Sequence, residues 1–201
     1  MSFRTAATVV LSLTLSAAAV TLHGAAAASR QQADSLARKI TQITQRGTQA
    51  APTGARRIEV SEDEVNSWFV YRGRPYLPEG VTNPNITMIG DGTVRGAVTV
   101  DLESAGKRKS GSGGIDLLSY LGKVPVAITG TLRAHDGLGQ FEMKSAEVAG
   151  LPVPKAIVQQ LLSMYASSPD DKKPISLDAS FELPAKIRSI DVGRGQLVVV
   201  Q

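Results

Sequence analysis

The 201-residue sequence contains no cysteine. That excludes a disulfide framework, a thiol nucleophile, thiolate metal ligands and a lipid-modified N-terminal cysteine. Exported eukaryotic domains of this size often carry disulfides, so the absence points to a bacterial envelope protein held together by its core. Histidine is almost missing too, with only His23 and His135. No G-x-S-x-G elbow and no ligands at metal-binding spacing occur, so the chain reads as a non-enzyme with no metal and no cofactor. Aromatic residues make up 4%, too few to stack on successive bases. A large excess of one charge is lacking as well. The net +4 comes from 22 Lys plus Arg against 18 Asp plus Glu, so the pI of about 9.5 follows from a small surplus and implies no nucleic-acid partner.

What is present begins with an apolar leader. Residues 1–28 hold a single charge, Arg4, then a run from Ala6 to Val20 broken only by small hydroxyl residues, then Ala25-Ala26-Ala27-Ala28. This is the pattern of a cleavable secretory signal peptide, and the run is too short and too rich in Ala, Ser and Thr to span a bilayer. The expectation is an exported protein, periplasmic or secreted, soluble once the leader is removed. Residues 29–55 read as an N-terminal helix and linker, and residues 56–201 as a single domain large enough for a real core.

In residues 29–48, Ala33, Leu36, Ile40, Ile43 and Gly47 alternate spacings of three and four, giving a stripe roughly 80° wide. Such a helix either lies along its own domain or docks on a partner; the first reading is preferred. Ser61-Glu62-Asp63-Glu64 then carries a capping box, with three carboxylates suited to the helix dipole. Val65, Trp68 and Phe69 share one face of the helix it opens. Helix-start electrostatics explain the acidic run better than a metal or acid–base site.

From Tyr76 the period changes to two. Val94, Val98, Val100 and Leu102 fall on one face, with Arg95, Thr99, Asp101 and Glu103 on the other. Asp91-Gly92 between two such runs signals a hairpin, and His135-Asp136-Gly137 signals another. Val124, Val126, Ile128 and Leu132 alternate inward. On the returning run Phe141 and Met143 lie on one parity but Ala146 and Val148 on the other, which predicts a bulge. His135 sits in a turn and is read as solvent-exposed. The loop between these hairpins carries Lys107, Arg108 and Lys109, which could meet lipid headgroups or simply be solvated. Residues 175–182 and 197–201 read as further strands.

The central element is residues 154–166, set off by Gly150-Leu151-Pro152-Val153-Pro154. Ile157, Val158, Leu161, Leu162, Met164 and Tyr165 occupy an apolar arc of roughly 160°, wide enough to need a large cover. The predicted fold is therefore α+β, a curved antiparallel sheet of about six strands packed on two or three helices.

The order of parts resembles a known family. Glu64-Val65-Asn66 opens a short helix before Leu77-Pro78-Glu79-Gly80-Val81; Gly150-Leu151-Pro152-Val153-Pro154 leads into the helix with Leu161-Leu162; and Leu183-Pro184, Ile187, Ile190 and Gly193-Arg194-Gly195-Gln196-Leu197-Val198 end the chain. This is similar to bacterial exported proteins of the LmeA-like phospholipid-binding type, whose fold is likened to the tubular lipid-binding (TULIP) superfamily. The resemblance covers roughly residues 58–201. It implies a curved sheet wrapped on helices, with an apolar groove for acyl chains. Groove-lining candidates are Trp68, Phe69, Val98, Val100, Ile128, Phe141, Met143, Ile157, Leu161 and Tyr165, and Lys107, Arg108 and Lys109 are candidates for headgroup or transient membrane contact. The expected ligand is a lipid or other apolar molecule. The alternative is a non-catalytic interaction module of the envelope with a filled core.

Overall fold

Ser29 opens the first helix, its hydroxyl accepting from the Gln32 N–H at 3.2 Å. The structure, a computed structural model, describes residues 28–50, 54–101, 122–159 and 179–201. Helix α1 (Arg30–Thr48) buries Ala33 and Leu36 of the apolar stripe against the rest of the chain. The helix lies along its own domain, and polar contacts fix it there. Ser29 N–H donates to Ser67 Oγ at 3.1 Å, and Gln201 Nε2 donates to the Ile43 carbonyl near the other end at 3.0 Å.

Strand β1 (Arg57–Ser61) runs straight into helix α2 (Glu62–Tyr71). Both halves of the expected capping box form: Ser61 Oγ accepts from Glu64 N–H at 3.1 Å, and Glu64 Oε2 accepts from Ser61 N–H at 2.9 Å. A 3-10 turn (Arg74–Tyr76) follows.

The main sheet is antiparallel. It comprises β2 (Val81–Gly90), β3 (Thr93–Asp101), β4 (Lys123–His135), β5 (Leu138–Val148) and β6 (Leu151–Pro152), side by side in that order, with β7 (Phe181–Glu182) also pairing β5. Two of its hairpins turn where the sequence predicted. Asp91 and Gly92 have φ of 51° and 73°, Asp136 and Gly137 of 54° and 79°, so both residues of each loop sit in the left-handed region that a two-residue turn demands. A third turn was not legible. Ala149 and Gly150 (φ 52° and 77°) return the chain as β6, where the sequence suggested only a break. Alanine rarely adopts this conformation, so nothing in its side chain announces the turn.

The C-terminal strands form a sheet of their own. β8 (Ser189–Val192) and β9 (Gln196–Val200) join β1 in the order β1-β9-β8, where a single sheet was expected. The two sheets meet at the first hairpin: Gly92 N–H donates to the Val192 carbonyl at 3.0 Å, and Gly195 N–H to the Met88 carbonyl at 2.9 Å. Leu36, Ile58 and Val60 form a core between α1 and the smaller sheet. Ala134, Leu183, Ile187 and Val199 form a second, and Val100, Val124 and Val126 a third on the main sheet. Of the strand predicted over residues 175–182, β7 is seen, Ala179 and Ser180 are not in a strand, and residues 175–178 lie outside the described residues, as do residues 1–27 of the leader and the apolar patch at 115–121.

Candidate functional site

Alternation along a strand decides which side chains meet on one face, and the register decides which rows align. In β3 the row is Val94, Gly96, Val98, Val100. Opposite them in β4 stand Gly130, Ile128, Val126 and Val124. In β5, Val148 pairs with Val126 and Ala146 with Ile128, while Met143 pairs with Gly130 and Phe141 with Leu132. The shift between Ser145 and Met143 leaves Lys144 as the extra residue. That bulge is the one the parity change predicted, and it keeps all four apolar residues of β5 on one side.

Five of the ten candidate lining residues therefore share one face of the main sheet: Val98, Val100, Ile128, Phe141 and Met143. Val100 is buried, whereas Val98, Ile128, Phe141 and Met143 are half-buried. The middle of this face is uneven. The Phe141 ring lies over Gly130, so close that a Cβ there would stand 2.4 Å from Cζ. At Gly96, on the same face, a Cβ would meet only Ile86 Cδ1 among the described residues, at an ordinary 3.6 Å. A shallow dip thus lies between Val94 and Val98, walled by aliphatic side chains. Gly96 was missed in the sequence because glycine carries no hydropathy signal; its i+2 spacing from Val94 and Val98 is the clue that would have found it.

The other candidates are placed differently. Trp68 packs with the Leu36, Ile58 and Val60 core, on the side of α1 and the smaller sheet. Phe69 meets it edge-on, with ring centroids 5.4 Å apart. Ile157 is 42% exposed, while its neighbour Val158 in the helical turn at 155–159 is 1% exposed and turns inward. Of the arc only Ile157 and Val158 are described, and of these Val158 is the one that turns inward. Leu161 and Tyr165 lie outside the described residues, as do Lys107, Arg108 and Lys109.

The opposite face of the sheet is polar. Arg95 reaches across β4 to make two hydrogen bonds with the Glu147 carboxylate, at 2.9 and 3.2 Å, and a longer one of 3.4 Å with Thr129 Oγ1. That guanidinium holds the Glu147 carboxyl below its ordinary range. Helix α2 closes the outer edge of β2. The Asn66 side chain donates to the Ile86 carbonyl at 2.8 Å and accepts from the Ile86 N–H at 2.7 Å; Glu62 accepts from the Met88 N–H at 2.6 Å. Asn66 thus stands in for a neighbouring strand.

Two of the three carboxylates at the start of α2 have structural partners. Glu62 serves the sheet edge, and Glu64 bonds Lys39 Nζ through both oxygens at 2.7 Å. His135 is exposed in its turn, with Nδ1 3.1 Å from Asp136 Oδ2. Among the described residues no group of three His, Cys, Asp or Glu could hold a metal ion. A cleft of about 510 Å³ along α1 is walled by Arg38, Lys39, Gln42, Arg56 and Arg57, a charged lining unsuited to an acyl chain. No helix among the described residues is long and apolar enough to cross a membrane. No protein-family model, curated protein or solved structure matches the chain.

Proposed function

We propose that this protein binds a lipid against the apolar face of its main sheet and holds or carries it in the bacterial envelope. One observation supports the reading above the rest. The pairing register gathers Val98, Val100, Ile128, Phe141 and Met143 on one face, leaves four of them half-buried, and sets the open position at Gly96 among them. A filled core would be expected to bury such residues more completely.

Such a site needs no special chemistry. Burying an acyl chain gains about 0.8 kcal/mol per methylene, so a dozen of them supply on the order of 10 kcal/mol before the entropic cost of binding. The resemblance to LmeA-like phospholipid-binding proteins agrees with this and adds the envelope as the place of action. On the opposite face Arg95 pairs with both Thr129 and Glu147, so that side offers an acyl chain a polar surface. Lys107, Arg108 and Lys109 are proposed as headgroup contacts.

Native mass spectrometry of gently purified protein tests the reading. The expected spectrum shows adducts with phospholipid masses that disappear after solvent extraction. A single ligand-free mass, unchanged after incubation with phospholipid, would overturn it and leave the filled-core interaction module in its place.

A further inference from the structure

The end of α2 carries a run of aromatic and basic residues. Residues 70–78 read Val-Tyr-Arg-Gly-Arg-Pro-Tyr-Leu-Pro, with no carboxylate among them. Tyr76 is 75% exposed, Val70 60% and Tyr71 42%, although each has an apolar body that burial would favour. Tyr76 does not hang loose: its ring lies 5.2 Å from that of Trp68, which anchors it to the core beneath. Arg30 lies over the Tyr71 ring at 5.1 Å and Arg74, next but one to Tyr76 in the chain, is exposed, whereas Arg72 is paired with Asp34. The described structure begins at Ala28, whose carbonyl accepts from Tyr71 Oη at 3.2 Å.

Exposed tyrosines with Arg30 and Arg74 close by suit one environment in particular. The ring enters the headgroup layer with its hydroxyl still hydrated, and the guanidinium groups meet anionic phosphates. We propose that residues 70–78 are a docking tip that seats on an anionic lipid bilayer. This builds on the lipid-binding reading, because a lipid carrier must meet a membrane to load or unload. Residues 107–109, the other candidate for membrane contact, lie outside the described residues.

Trp68 is the only tryptophan in the chain and lies directly under Tyr76, so it reports on the tip. The test uses the full chain and vesicles of phosphatidylcholine mixed with phosphatidylglycerol, brominated in the acyl chains. Trp68 emission should be quenched by these vesicles and not by brominated phosphatidylcholine alone. The double variant Val70→Ser, Arg74→Gln touches neither ring of the Trp68–Tyr76 pair. It should shift the vesicle concentration for half-quenching upward at least fivefold, the factor expected from the lost arginine alone. Quenching equal on the two vesicle types, unaltered in the double variant, or absent would each overturn the proposal. Quenching that remains with the soluble protein after vesicles are sedimented reports lipid taken into the molecule, not docking, and also counts against it. Gly96→Leu separates the two ideas: it blocks the sheet-face site, yet vesicle-dependent quenching should persist.

Discussion

Glu64 carries two structural duties on one carboxylate. One oxygen closes the capping box on the Ser61 N–H, and both bond the Lys39 ammonium at 2.7 Å, tying α2 to α1. Burial alone would raise its pKa, but Lys39, the Ser35 hydroxyl and the Ser61 backbone outweigh that and lower it. A carboxyl lowered on folding stabilises the protein above the unfolded value, near 4.5. That contribution is lost as the pH falls through the lower folded value. The denaturation midpoint of the native protein should therefore fall as pH drops below about 4.5, and it should fall less steeply in Glu64→Gln. Lys39→Ala, which leaves that carboxylate buried without its cation, should cost about 1–3 kcal/mol in urea unfolding at neutral pH. Ala149 offers the opposite case. Its φ of 52° is costly for alanine, and Ala149→Asn would create the Asn-Gly loop that this turn prefers. The same unfolding measurement should show a gain of about 1 kcal/mol.

Among the elements, α1 and α2 act as clamps. Gly47 sits in the last turn of α1 against the turn at Ala185, where a Cβ would stand 2.6 Å from Ala185 Cα. Backbone cannot yield as a flexible side chain does, so Gly47→Ala should destabilise by about 1–3 kcal/mol in urea unfolding. Asn66 clamps the other way, by capping the edge of β2. Asn66→Ala leaves both polar groups of Ile86 unpaired at an open edge and should cost about 2 kcal/mol. Light scattering should also show self-association through that edge, absent in the native protein. These elements were legible to different degrees. The capping box, the apolar stripe of α1 at Ala33 and Leu36 but not at the exposed Ile40, the two Asp-Gly hairpins and the bulge at Lys144 are local patterns, and the structure has them. The partners of Glu62, Asn66 and Gly47 are not local, because each lies 20 or more residues away in the chain. Spacing within one segment carries no trace of such contacts.

At the scale of the molecule, the same limit hid the second sheet. β9 read correctly as a strand, but the pairing of β8 and β9 with β1 across most of the chain follows from packing, not from any periodicity. The sheet-face site was half visible. Alternation marked Val98, Val100, Ile128, Phe141 and Met143, whereas Trp68 had the right polarity but belongs with the core beside α1. Gly96, silent to hydropathy, marks the open point of that face. Among the described residues a Cβ there would meet only Ile86 Cδ1, at 3.6 Å, and a strand interior is stabilised by replacing glycine. Gly96→Leu should thus fill the dip without loosening the fold. The decisive measurement is native mass spectrometry of this variant beside the unmodified chain, with a thermal melt of each. If a lipid lies on the sheet face, the variant melts no lower than the parent and its phospholipid adducts are gone. Adducts of equal abundance in both proteins would place the lipid elsewhere and contradict the account.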